Sequence, residues 1–161
     1  MPRLLAIVAA LLLGLAGPPA AAAMAAVPWR WPVDPPRSIV RPYLAPATPY
    51  AAGHRGVDIR APTGVLYAPA DGIVHFAGLV VDRPVLSIGH GDGVISSFEP
   101  VVAAVREGDV VARGQVIGTV MPGHCSMLCV HVGVRVHGQY VSPLAFFGSI
   151  PASVLLPTRR A

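Results

Sequence analysis

Two short stretches of the chain carry side chains suited to holding a metal or moving a proton. The first is His54-Arg55-Gly56-Val57-Asp58. An imidazole nitrogen and a carboxylate are both usual zinc donors. Gly53 and Gly56 argue against a helix, so the pair sits in a loop running into a strand. A His and an Asp in such a turn also serve simply to hydrogen-bond backbone, and the spacing alone does not separate the two uses. The second stretch is Cys129-Val130-His131-Val132-Gly133-Val134. Side chains alternate faces along a strand, so Cys129, His131 and Gly133 share one face and the valines the other. The valine face reads as core. His131 then points away from it, beside a residue with no side chain, with room for a ligand. A structural histidine satisfies the same pattern.

Cys125 and Cys129 are the only cysteines. A zinc ribbon would need a second pair. An exported chain permits a disulfide between them, closing a tight loop next to His131. His75, His90 and His137 carry no motif and read as surface or turn residues.

The elements that must position these groups are short and β-like. Candidate strands are Gly56–Ile59, Leu66–Ala68, Gly72–Ala77, Pro84–His90, Gly93–Phe98, Val110–Ala112, Gly114–Val120, Cys129–Val136 and Tyr140–Val141. Between them lie Ala61-Pro62-Thr63-Gly64, Gly89 to Gly93, Arg106-Glu107-Gly108-Asp109 and His137-Gly138, all with turn chemistry. Val- and Ile-rich runs at this spacing predict an all-β domain, a compact antiparallel sheet core built as a sandwich or barrel. No helix longer than about two turns is expected within it.

The ends read differently. Arg3, the apolar run Leu4 to Leu15, the breakers Gly17-Pro18-Pro19 and the small Ala21-Ala22-Ala23 follow the order of a secretory signal over residues 1–23. The apolar run is shorter than the roughly 20 residues of a spanning helix. The expected protein is therefore secreted, with no stable membrane insertion once the leader is cleaved. Residues 24–49 are rich in proline and cannot be helical. They also hold Trp29, Trp31, Ile39, Val40 and Tyr43, which a free linker would not need, so they read as a strap on the domain. The domain itself spans 50–148, and a short tail follows over 149–161.

All 12 basic residues are arginine. Without Arg3, 11 arginines stand against 8 acidic residues, and the charges are scattered. No basic stripe with interleaved aromatics marks a nucleic-acid partner.

The pairing of Ala70-Asp71-Gly72-Ile73-Val74 with the Gly108–Gly118 hairpin resembles the lipoyl/biotinyl carrier hammerhead. A carrier needs an acceptor lysine, and this chain has none. The same hairpin occurs in lysostaphin/LytM-type zinc peptidases, and there the resemblance is broader. Gly53 to Ile59, Ala68 to Val74, Gly89-His90-Gly91-Asp92-Gly93, the Gly108–Gly118 hairpin, the His131 strand and Ser142-Pro143-Leu144 arrive in that family's order over about residues 50 to 148. The resemblance implies a LytM-like fold and one zinc ion held by His54, Asp58 and His131. It implies peptidoglycan peptides as the substrate class and action in the cell envelope. Three protein ligands with one open position make a catalytic rather than a closed site. Such a metal polarises a scissile carbonyl and activates water.

The chain departs from the family at two places. Active members carry a histidine in the strand after the Gly-Asp-Gly turn and another as the first His of H-x-H. Pro100 and Cys129 stand there. Proline transfers no proton, and a disulfide removes the thiol of Cys129. Positioned acid–base groups contribute about 10²–10⁴-fold each. Possible stand-ins are Glu99, which strand alternation turns to the face opposite Pro100, and His124, in the loop before Cys125. The sequence thus predicts either a metalloendopeptidase of weak activity or an inactive module of the same fold that binds peptidoglycan or a partner hydrolase.

Overall fold

The computed structural model describes residues 28–48 and 50–148. The expected leader, the tail and the outermost residues of the strap lie outside the described residues.

Eleven strands follow one another: β1 (Ile39–Arg41), β2 (Gly56–Arg60), β3 (Val65–Tyr67), β4 (Gly72–Val80), β5 (Arg83–Gly89), β6 (Val94–Glu99), β7 (Val101–Ala103), β8 (Val110–Val111), β9 (Val116–Val120), β10 (Cys129–Val136) and β11 (Gln139–Val141). A single 3₁₀ turn, Pro143–Ala145, is the only helical element among the described residues. The larger sheet runs β1-β2-β10-β6-β5-β4-β8, with β11 beside β10. The smaller runs β3-β9-β7. All pairings are antiparallel. The fold is all-β, as the strand spacing predicts.

The core lies where the inward faces of both sheets meet. Ile59, Leu86, Ile88, Phe98, Val130 and Val132 come from the larger sheet, and Leu66, Val101 and Ile117 from the smaller. Each such side chain taken from water contributes about 1.5–3 kcal/mol. On β10, Val130, Val132 and Val134 are wholly buried. That fixes the register and turns His131 to the other face.

The structure corrects several strand limits. β7 was not expected, because Pro100 reads as a break. The break is a change of sheet: β6 pairs within the larger sheet, and β7, with Val101 buried, belongs to the smaller. β1 was missed because its three residues are all exposed. Its Ile39 and Val40 are apolar but exposed, and the run is only three residues long within the proline-rich stretch, so it reads as part of the strap rather than as a strand. β9 starts at Val116, not Gly114, whose φ of 85° places it in the turn. β4 continues to Val80 because Leu79 and Val80 pair with Pro84 and Arg83. The His137-Gly138 turn joins β10 to β11, with both residues at positive φ. That backbone suits the twist of a tight hairpin.

The segment Pro28 to Leu44 is tied down along its length. Trp29, Trp31 and Tyr43 pack against the core, and Val33 is buried within it. Trp31 stacks on Phe147 with centroids 4.8 Å apart. The Trp29 amide donates to the Phe146 carbonyl and that of Arg30 to the Pro69 carbonyl. The Arg30 guanidinium lies 4.3 Å above the Tyr67 ring. Trp31→Ala is expected to cost about 2 kcal/mol, half the range of a fully buried aromatic, and to lower the thermal midpoint by roughly 6–12 °C. A midpoint within a degree of wild type would refute this packing role.

Candidate metal centre

His54, Asp58 and His131 meet at the seam between β1, β2 and β10. Asp58 lies on β2 directly opposite His131 on β10. Neighbours across an antiparallel pair present side chains to the same face. His54 is placed by backbone bonds to Leu44 in both directions, His54 N to Leu44 O at 2.8 Å and Leu44 N to His54 O at 3.0 Å. The edge segment therefore sets the position of His54. Asp58 and His54 are almost fully buried, and His131 is half-buried.

The donor atoms converge. His54 Nε2 is 3.1 Å from Asp58 Oδ1 and 3.1 Å from His131 Nδ1. His131 Nδ1 is 2.8 Å from Asp58 Oδ1. His124 joins them: its Nε2 lies 3.0 Å from the same Asp58 oxygen. Three imidazole nitrogens thus surround one carboxylate oxygen.

The ring of His131 needs space that the neighbouring strand provides. A Cβ on Gly56 would come within 2.5 Å of His131 Nε2 and 2.3 Å of the Val132 carbonyl. Gly56 is therefore a cradle for the imidazole, a role that the sequence reading gave to Gly133 alone. Any larger residue at 56 would push His131 out of line with Asp58.

The His54 tautomer follows from its partners. Nδ1 sits 2.7 Å from the Pro42 carbonyl, which can only accept, so Nδ1 carries the proton. Nε2 of the neutral ring then presents a lone pair to the carboxylate oxygen of Asp58 and to His131 Nδ1. Two acceptors facing one another at 3.1 Å, His54 Nε2 and Asp58 Oδ1, form a set that a cation satisfies. A second-sphere carbonyl that holds the tautomer is a usual companion of a histidine ligand. By this test the residues fit a zinc ion.

Ionisation agrees. Burial pushes the Asp58 carboxyl upward, but hydrogen bonds from His131 and His124 and the nearby His54 outweigh it, and the net shift is downward. Burial lowers the pKa of His131 despite the opposing carboxylates of Asp58 and Glu99. The aspartate is thus held charged and His131 neutral, the forms that ligate metal.

His90 is lowered for the same reason, burial, with Asp71 opposing. Its Nδ1–H donates to the Asp71 carbonyl, 2.8 Å away, and its Nε2 lies 2.8 Å from Ser96 Oγ. The ring also packs on Trp29, so His90, in the turn after β5, is a half-buried strut. Both histidines have folded values below the ordinary 6.5. The unfolded chain binds more protons over that interval, so stability is present above it and lost as pH falls through it. The urea midpoint of metal-free protein should accordingly drop between pH 8 and pH 5. A midpoint that is flat or rising over this span would contradict the assignment.

The other sequence candidates fall as follows. Glu99 does not face away from the site: it pairs with His131 across β6 and β10 and shares its face. The alternation argument failed because it counted from Pro100, which lies beyond the end of β6. Glu99 Oε1 is 3.8 Å from Arg83 Nη1. It lines, with Arg55, His131, Arg135 and Tyr140, a groove of about 590 Å³. Pro100 and His124 line a second groove of about 420 Å³ with Arg83 and Met121. His131 of the first groove and His124 of the second both reach the same Asp58 oxygen, Oδ1. Cys125 and Cys129 are joined as a disulfide with Cα atoms 6.0 Å apart. His75 and His137 are exposed.

The chain also has informative likenesses. It is 40% identical to an uncharacterized protein of Mycobacterium tuberculosis over 129 residues, covering 75% of this chain and 52% of that protein. It is 30% identical over 122 residues to the murein hydrolase activator NlpD of Salmonella dublin, covering 73% of this chain and 31% of that protein. It thus spans about half, or less, of the length of these relatives. The solution structure of lysostaphin superposes with a TM-score of 0.59 at 21% identity, over 78% of this chain and 57% of lysostaphin, a likeness of fold. The family model of peptidase family M23 matches residues 52–143, a span that includes His54, Asp58 and His131. A match over more than half of the residues, on a chain that folds as lysostaphin does, places this protein in peptidase family M23.

Proposed function

We propose that the protein is an exported M23 domain that binds one zinc ion through His54, Asp58 and His131 and engages peptidoglycan peptides with little or no hydrolysis. The observation that carries this reading is the convergence of those three donors without the imidazoles that would serve them. Zinc in such a site supplies Lewis acidity toward a peptide carbonyl. Asp58 would contribute a held negative charge, and His54 a lone pair aimed by the Pro42 carbonyl. Cys129 sits beside His131 with its sulfur tied to Cys125, and Pro100 offers no proton.

The groove at His131 supports a peptide ligand. Arg55 and Arg135 flank the Tyr140 ring at 5.9 Å each, and Glu99 stands further along. Cations at one end and a carboxylate at the other suit a short peptide with charged groups. The murein target is supported by family membership and by the activator relative. Residues 1–23 would act as the leader, 24–49 as the strap and 50–148 as the binding domain.

Two measurements test the proposal together. Purified mature protein should carry close to one zinc per chain and sediment with isolated peptidoglycan, while releasing few peptides from it. Absence of zinc would overturn the metal assignment. Brisk release of peptides would overturn the inactive half and direct attention to Glu99 and His124 as acid–base groups.

A further inference from the structure

His124 lies beside the centre, although the family pattern does not place an imidazole there. Its Nε2 is 3.0 Å from Asp58 Oδ1, and its side chain is 21% exposed, so it is packed rather than free in solvent. A carboxylate oxygen only accepts, so the His124 Nε2–H donates to it. His131 Nδ1 differs. It faces His54 Nε2 at 3.1 Å as well as Asp58, and a metal held by the three donors displaces its proton. Among these donor atoms His124 reaches only the Asp58 oxygen, and it stands outside the mutually close set. Its proton can stay on the bond to the carboxylate.

The position of His124 has a covalent cause. Backbone bonds tie its loop at the two ends, Met121 N to Pro100 O at 2.9 Å and Ala61 N to Leu128 O at 3.0 Å. Between them Cys125, the next residue after His124, is bonded to Cys129, two residues before His131 on β10. The loop is thereby fastened to the strand that carries His131, at the residue adjoining His124.

We propose that His124 is a positioning residue, held by the Cys125–Cys129 disulfide, whose Nε2–H orients the Asp58 carboxylate for zinc. This rests on the zinc reading above and adds what aims one of its ligands. The terminal torsion of an aspartate is broad, so an unheld carboxylate samples many rotations, and ordering it on binding costs entropy. A hydrogen bond already in place removes that cost. The Pro42 carbonyl aims His54 in this way, and His124 aims Asp58.

Zinc affinity by chelator competition, and the visible spectrum of the cobalt-substituted protein, test this without any assay of hydrolysis. His124→Ala should weaken zinc binding by about 10–100-fold, the usual loss from an outer partner of a ligand. Its cobalt spectrum should match that of wild type, because the ligand set is intact. His124→Gln, whose amide can donate in place of Nε2–H, should restore most of the affinity. Cys125→Ser with Cys129→Ser should weaken binding as well, and adding His124→Ala should cause little further loss, because one interaction is removed by either route. Thermal unfolding of the metal-free variants would confirm that each folds. Unchanged affinity in His124→Ala would overturn the inference while leaving the three-donor reading intact. So would a Gln variant as weak as the Ala variant, since the donated hydrogen bond would then not be what matters. A changed cobalt spectrum in His124→Ala would also overturn it, because His124 would then be a ligand. Fully additive losses would defeat the part assigned to the disulfide. A wild-type protein that binds no zinc would remove the three-donor reading itself.

Discussion

His131→Ala is expected to abolish zinc binding and with it the largest stabilisation that a ligand can give this domain. A ligand that binds only the folded state stabilises it by RT ln(1 + [L]/Kd), about 4 kcal/mol at a thousandfold excess over Kd. For a domain of this size that corresponds to a rise of roughly 15 °C in the thermal midpoint on adding zinc. Wild type should show the rise, and His131→Ala should show none. The variant should also be less stable without metal by about 1–3 kcal/mol. It leaves a void over Gly56 and removes one of the partners of the buried Asp58 carboxylate. Asp58→Asn should lose the zinc response in the same way. Retention of a full zinc-induced rise by either variant would refute the proposed ligand set.

The second large effect is a gain. Pro100→His alone should leave peptide release from peptidoglycan at the wild-type level, because Cys129 would still lack an imidazole. Combining Pro100→His with Cys129→His and Cys125→Ser should raise it by about 10²–10⁴-fold or more. Each restored group contributes on that scale only when the other steps are served too. The combined variant also removes the disulfide that fastens the loop carrying His124 to β10. Zinc content serves as the control for folding. If the combined variant holds zinc and remains as inactive as wild type, the loss of Pro100 and Cys129 imidazoles is not what silences the site. A large gain from Pro100→His alone would equally defeat the argument, because it would mean that a second group, Glu99 or His124, already acts.

Much of this molecule was legible in its residues. Alternation along Cys129–Val136 separated the core valines from His131, and the buried state of all three valines bears that out. Period two is a local property, fixed by the backbone of a single strand. Turn residues marked most of the strand boundaries for the same reason, since positive φ and missing amides act within two or three residues. The tryptophans near residue 30 announced a strap packed on the β domain, and Trp29, Trp31 and Tyr43 do pack against the core.

Only the tertiary structure decided the rest, because those features depend on residues far apart in the chain. Register across β6 and β10 put Glu99 opposite His131, against an alternation argument counted from the wrong residue. The edge strand β1 is three exposed residues inside the proline-rich strap, yet the segment after it supplies the Pro42 carbonyl that sets the tautomer of His54. Gly56 and His131 are 75 positions apart in sequence, and the reason for a glycine at 56 exists only once the imidazole lies over it. His124 illustrates the division most clearly. Its sequence neighbours showed a cysteine pair and a loop, whereas the bond from Cys125 to Cys129, with β10 held between β2 and β6, brings its nitrogen to Asp58. Residue types determined which donors were present, and long-range pairing decided which of them share one point in space.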